Sequence, residues 1–152
     1  MDGARSGSGK AETMDDELAA RLRITELRHR YCWAYDEGDA GLIGSLFTAD
    51  GTLDLGDWGV FRGTREIVEG LLGQVTPPGQ PRSTLHTLST EVLDIHGDSG
   101  RGRFYVVVYH PPREGDVHPV RFVGRYLDSY RREGDRWLIE SIRLEPFWFA
   151  GY

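Results

Sequence analysis

Apolar residues recur at three- and four-residue spacing after Asp15, with Ile24, Leu27, Tyr31 and Tyr35 on one stripe and charged side chains filling the positions between. That spacing predicts an amphipathic helix, begun by acids that suit the positive end of a helix dipole and stopped at Gly38. Asp39 is placed to cap a second, short helix carrying Leu42, Ile43, Leu46 and Phe47. A turn at Asp50-Gly51, a strand over 52–55 and a loop through Gly56, Asp57, Trp58 and Gly59 come next. A third helix fits 64–72, and the Pro/Gly stretch 77–81 cannot continue it.

Beyond that stretch the pattern changes to the alternation of strands, predicted over 83–95, 103–110, 118–131 and 136–144. Polar turns at 97–102, 111–116 and 133–135 join them, so the strands form an antiparallel meander with the helices covering one face. The fold class is α+β, without internal repeats. Residues 1–14 are rich in Gly, Ser and charge with little to bury, and are expected to be a disordered tail. Residues 15–152 then form one domain that closes on the aromatic run Phe147-Trp148-Phe149-Ala150-Gly151-Tyr152.

At 152 residues a single core is expected. A formal net charge of -6, with arginines interspersed among acids, argues against a nucleic-acid or anionic-membrane partner and leaves small molecules and proteins. No apolar run reaches the roughly 18 residues of a membrane span. The lone Cys32 excludes an internal disulfide, is expected in helix packing, and suits a reducing cytoplasm.

Alternation along 103–110 puts Phe104, Val106, Val108 and His110 on one face, so His110 extends an apolar row. His86 shares its face with Leu88 and Val92, among Thr84, Thr90 and Asp94. Paired as neighbours, these strands would bring both imidazoles to the mouth of one cavity. Each histidine also fits a half-buried role bonded to backbone. Asp36, in the last turn of the first helix, opposes the helix dipole and lies about 100° beyond Tyr35, off the centre of the apolar stripe. No HExxH or His-x-His spacing points to a metal, and no GxGxxG, Walker loop or GxSxG elbow points to a cofactor or serine nucleophile. An apolar pocket would draw on Trp58 and Phe61, on Phe104, Val106 and Val108, and on Tyr126, Phe147 and Trp148, although most aromatics fill cores and a terminal cluster can also meet a second subunit.

The stretches ITELRHRYCWAYDEGDAGLIGSLFTADGTLDL, F-R-G-x-x-E-I, the strand with His86, and GRYLDSYRREGDRWLIESIRL resemble the SnoaL-like branch of the nuclear transport factor two-like superfamily. The resemblance spans about residues 18–145. It implies a cone-shaped, cystatin-like α+β barrel: a curved sheet around the first helix, with an apolar pocket at its wide end. In dehydratases and a dehydrochlorinase of that superfamily an aspartate at the end of the first helix orients a strand histidine, roles that fall here on Asp36 and His86. His110 matches a second histidine of scytalone dehydratase, and Tyr31 and Tyr35 match assisting tyrosines. Where that enzyme has a carbonyl-polarising tyrosine on its first strand, this chain has Leu55.

The implied activity is cofactor-free acid-base catalysis, a dehydration, isomerisation or cyclisation of an apolar polycyclic or polyketide-like molecule, in a homodimer or homotrimer. A non-catalytic binding or subunit-interaction module is the alternative, distinguished by a filled cone with no room beside His86. Epoxide opening by an Asp-Arg-Asp set would need Asp54, Arg125 and Asp128 to converge.

Overall fold

The structure, a computed structural model, describes residues 8–74, 84–111 and 119–149. Helix α1 (Ser8–Glu37) starts ahead of the predicted Asp15, so the second half of the stretch expected as a tail is helical, as its good helix formers Lys10, Ala11, Glu12 and Met14 allow. It stops at Gly38, whose φ of 76° takes the left-handed conformation open to glycine. Asp39 then caps α2 (Ala40–Ser45), accepting the Leu42 N–H at 2.8 Å.

Phe47, assigned by periodicity to the second helix, instead opens β1 (Phe47–Asp54). The Asp50-Gly51 pair lies inside this strand, where the register against its neighbour shifts between Phe47 and Thr52. A turn-forming dipeptide here serves a bulge. A 3-10 turn (Gly56–Trp58) and a short strand β2 (Val60–Arg62) fill the predicted loop, and α3 (Gly63–Leu72) follows. The Phe61 ring lies against Gly70 of α3, in the space a Cβ there would occupy.

The meander is β3 (Leu85–His96), β4 (Ser99–Tyr109), β5 (Val120–Glu133) and β6 (Arg136–Phe149). Positions 83 and 118 of the predicted strands lie outside the described residues. Sheet order is β2-β1-β6-β5-β4-β3, antiparallel throughout except that β1 runs parallel to β6. The sheet is therefore mixed. β6 continues to Phe149, so Phe147, Trp148 and Phe149 of the terminal aromatic run belong to a strand.

The curved sheet closes on α1. Ile24, Tyr31 and Ala34 of the helix are buried with Phe104, Val106, Tyr130 and Ile142 of the strands, each large apolar side chain contributing about 1.5–3 kcal/mol by leaving water. Arg28 is buried with them, on a helix face that also carries Cys32 and Asp36. No helix of the described residues is long and apolar enough to cross a membrane.

The β3 pairing corrects one expectation. Ser89 faces Tyr105 but Val92 faces Arg103, so β3 has one extra residue at Thr90–Glu91, and Thr90 takes a φ of 52°. The insertion reverses the alternation: His86 and Leu88 turn inward, then Leu93 does, while Val92 is exposed.

Candidate active site

Asp36 lies in the last turn of α1 beside the start of β3, and three donors, two on His86 of that strand and one on Thr84 just before it, converge on its carboxylate. The His86 backbone N–H donates to Oδ2 at 2.9 Å, the Thr84 hydroxyl to Oδ1 at 3.3 Å, and His86 Nδ1 lies 2.7 Å from Oδ1. These contacts offset the opposing helix dipole. The carboxylate fixes the imidazole tautomer: Nδ1–H donates to Asp36, which leaves Nε2 its lone pair. Both side chains are nearly buried, at 5% exposure for His86 and 7% for Asp36.

His86 lines a cavity of about 460 Å³, within the usual range for small-molecule sites. Its apolar wall is Leu55, Trp58, Val108, Phe122 and Leu144, with Trp58 and Phe122 rings 5.2 Å apart. Gln74 fastens this wall by donating to the Trp58 carbonyl at 2.9 Å. The polar side is Tyr35, Thr84, His86 and Arg121, with Tyr126 beneath. Tyr35 and His86 meet edge to face at a centroid distance of 4.9 Å. Burial pushes the Tyr35 hydroxyl above its ordinary pKa, against the nearby Arg121 charge and with the field of Asp36 adding to the rise, so it keeps its proton as a donor.

Other expected site residues lie elsewhere. Tyr31 is fully buried between Arg28 and Phe47, off the cavity wall. His110 is buried one pleat beyond Val108, with Nδ1 donating to the Pro111 carbonyl at 2.8 Å, and does not line the cavity. Phe104 and Val106 belong to the core around α1, while Phe61 seals α3 against β2. Phe147 and Trp148 are 45% and 59% exposed on the outer sheet face, where Phe147 meets Tyr105; Phe147 has that parity by alternation, and a register shift between Val123 and Gly124 adds a residue to β6 that carries Trp148 there too. Trp58, Val108 and Tyr126 do line the cavity, as Tyr35 and His86 do.

The Asp-Arg-Asp set does not converge. Arg125 pairs with Glu145 at 2.7 Å, Asp128 with Arg28 at 2.9 Å, and Asp54 accepts the Gly56 N–H at 2.9 Å. Cys32 is buried, and burial raises its thiol to about 11, which suits packing and not nucleophilic attack. Among the described residues no three His, Cys, Asp or Glu side chains converge as metal ligands would.

A curved mixed sheet closed on one long helix, with an aspartate-held histidine facing an apolar cavity, defines a cystatin-like α+β domain. Residues 16–143 match the SnoaL-like domain, and the chain belongs to that family. A protein of unknown function from Mycobacterium tuberculosis is 26% identical, with a TM-score of 0.75 over 88% of this chain and 75% of that one. An NTF2-like protein with a cystatin-like fold from Novosphingobium aromaticivorans is 20% identical, with a TM-score of 0.78 over 95% and 92%. A hexachlorocyclohexane dehydrochlorinase from Novosphingobium barchaimii is 18% identical, with a TM-score of 0.72 over 89% and 91%. No curated protein matches the sequence.

Proposed function

We propose that this protein is a cofactor-free acid-base enzyme, a dehydratase, isomerase or cyclase, that acts on an apolar ring compound small enough for the cavity. The observation that carries the reading is the 2.7 Å contact of Asp36 with His86 Nδ1, behind an imidazole that faces the cavity beside Tyr35. His86 Nε2 takes a proton from a carbon next to a carbonyl, and the C–H electron pair becomes the enolate. Asp36 stabilises the imidazolium, and the Tyr35 hydroxyl donates to the developing oxyanion. The imidazolium then returns its proton, either to a departing β-hydroxyl, which leaves as water, or to another carbon of the conjugated system, which moves the double bond.

The dehydrochlorinase among the structural relatives, by its name an elimination enzyme, supports this class of reaction. The open cavity beside His86 weighs against a purely structural module. The test is deuterium exchange at the α-carbon of 1-tetralone in D2O, followed by NMR. The wild type is expected to exchange faster than buffer. Asp36→Asn and His86→Ala are expected to lose the catalysed rate, and Tyr35→Phe to lose roughly a hundredfold, the scale of one oxyanion donor. Buffer-level exchange by the wild type, or undiminished exchange by folded His86→Ala, would overturn the reading.

A further inference from the structure

Arg121 departs from the alternation of its strand. Along β5 the residues Phe122, Gly124, Tyr126 and Asp128 are buried, so Arg121 has the parity of the outer face. Yet it lines the cavity. The pairing explains why: Val108 faces Phe122 while Tyr109 faces Val120, so β5 holds one extra residue at Arg121, and the bulge redirects its side chain.

Its guanidinium carbon lies 5.8 Å from the Trp58 ring centroid, and its charge acts on the Tyr35 hydroxyl. No carboxylate of the described residues forms an ion pair with it, although Arg125, Arg131, Arg132 and Arg143 all have acidic partners. Asp57, also on the cavity wall, is exposed and does not pair with it. A half-buried cation that shares its cavity with the apolar wall of Leu55, Trp58, Val108, Phe122 and Leu144 is costly to desolvate unless an anion completes it, and a guanidinium fork matches a planar carboxylate best.

We infer that Arg121 is a specificity-determining residue that receives the carboxylate of an acidic ring substrate, so the natural substrate class is aromatic or polycyclic carboxylic acids. This rests on the proposed catalytic reading for the meaning of "substrate", but the recognition itself is an equilibrium property that needs no turnover.

The probes are 2-naphthoate and its methyl ester, which share a ring system and differ in charge. Calorimetric titration of the wild-type protein is expected to give naphthoate about tenfold tighter binding than the ester, the scale of a charge-assisted contact. Arg121→Gln is expected to abolish the difference, Arg121→Lys to retain part of it, and Asp36→Asn to leave it in place. Equal affinities in the wild type, absence of naphthoate binding, or an undiminished preference in Arg121→Gln would overturn the inference. Because the preference is read without chemistry, it can persist where 1-tetralone exchange fails and fail where exchange persists.

Discussion

A charged guanidinium at 0% exposure, as at Arg28, survives only with compensation. Arg28 Nε lies 2.9 Å from Asp128, whose other neighbour is the Tyr130 hydroxyl at 2.7 Å, and the guanidinium carbon stands 4.1 and 4.6 Å from the Tyr126 and Tyr31 ring centroids. Burial works against the charge, but the field of Asp128, with Cys32 and the two tyrosines 126 and 130 adding to it, outweighs that and raises the Arg28 pKa. Arg28→Met would strand the carboxylate in the core, an expected loss of about 3–5 kcal/mol in urea unfolding. The double change Arg28→Met with Asp128→Leu is expected to recover most of it, because no uncompensated charge remains. A double variant as unstable as the single one would mean that the cost is lost packing. The same face explains what residue patterns could not reveal. Arg28, Cys32 and Asp36 recur every fourth position beside the Ile24-Tyr31 stripe, and all three are buried because the sheet wraps α1 over a wider arc than one stripe. Periodicity sees an arginine and an aspartate as polar; only their partners on β5 and β3, far away in sequence, account for their burial.

Among the elements, the meander and the helices were legible because hairpin connections are local and alternation is strong. The parallel pairing of β1 with β6 was not, since nothing near Phe47 records a partner more than ninety residues away, Ile139. Bulges were equally hidden, and they matter most: one sets where His86's face of β3 stops, and another turns Arg121 inward. The β3 bulge also holds a strained residue. Thr90 is exposed and β-branched yet has a φ of 52°, a conformation that costs an L-residue about 1–2 kcal/mol and glycine almost nothing. Thr90→Gly is therefore expected to raise unfolding stability by about 1 kcal/mol, less than the full strain because glycine also gains freedom in the unfolded chain. A destabilised Thr90→Gly would mean that the threonine side chain holds the bulge in place.

For the whole molecule, the closing of the sheet around α1 places several neutral acids in one core. Burial raises the pKa of Tyr31, Tyr126 and Tyr130, and the Cys32 thiol moves from about 9.0 to about 11. In each case the folded state favours the protonated, uncharged form. Between the unfolded and folded pKa values the unfolded chain binds fewer protons than the native one, so the stability these groups contribute is complete below about pH 9 and is lost as pH rises. Cys32 acts first, because its unfolded pKa lies below that of tyrosine. A shift from 9.0 to about 11 corresponds to roughly 3 kcal/mol lost by about pH 11. The tyrosines extend the loss from about pH 10 upward. Urea unfolding from pH 8 to 11 is expected to show wild-type stability falling, with a shallower fall for Cys32→Ala between about pH 9 and 10. Tyr126→Phe, by contrast, should follow the wild type to about pH 10 and flatten only beyond it. If Cys32→Ala followed the wild-type slope instead, the thiol would be ionising inside the folded protein. The Arg28 guanidinium beside it would then be stabilising a thiolate, and the core would be less dry than its burial implies.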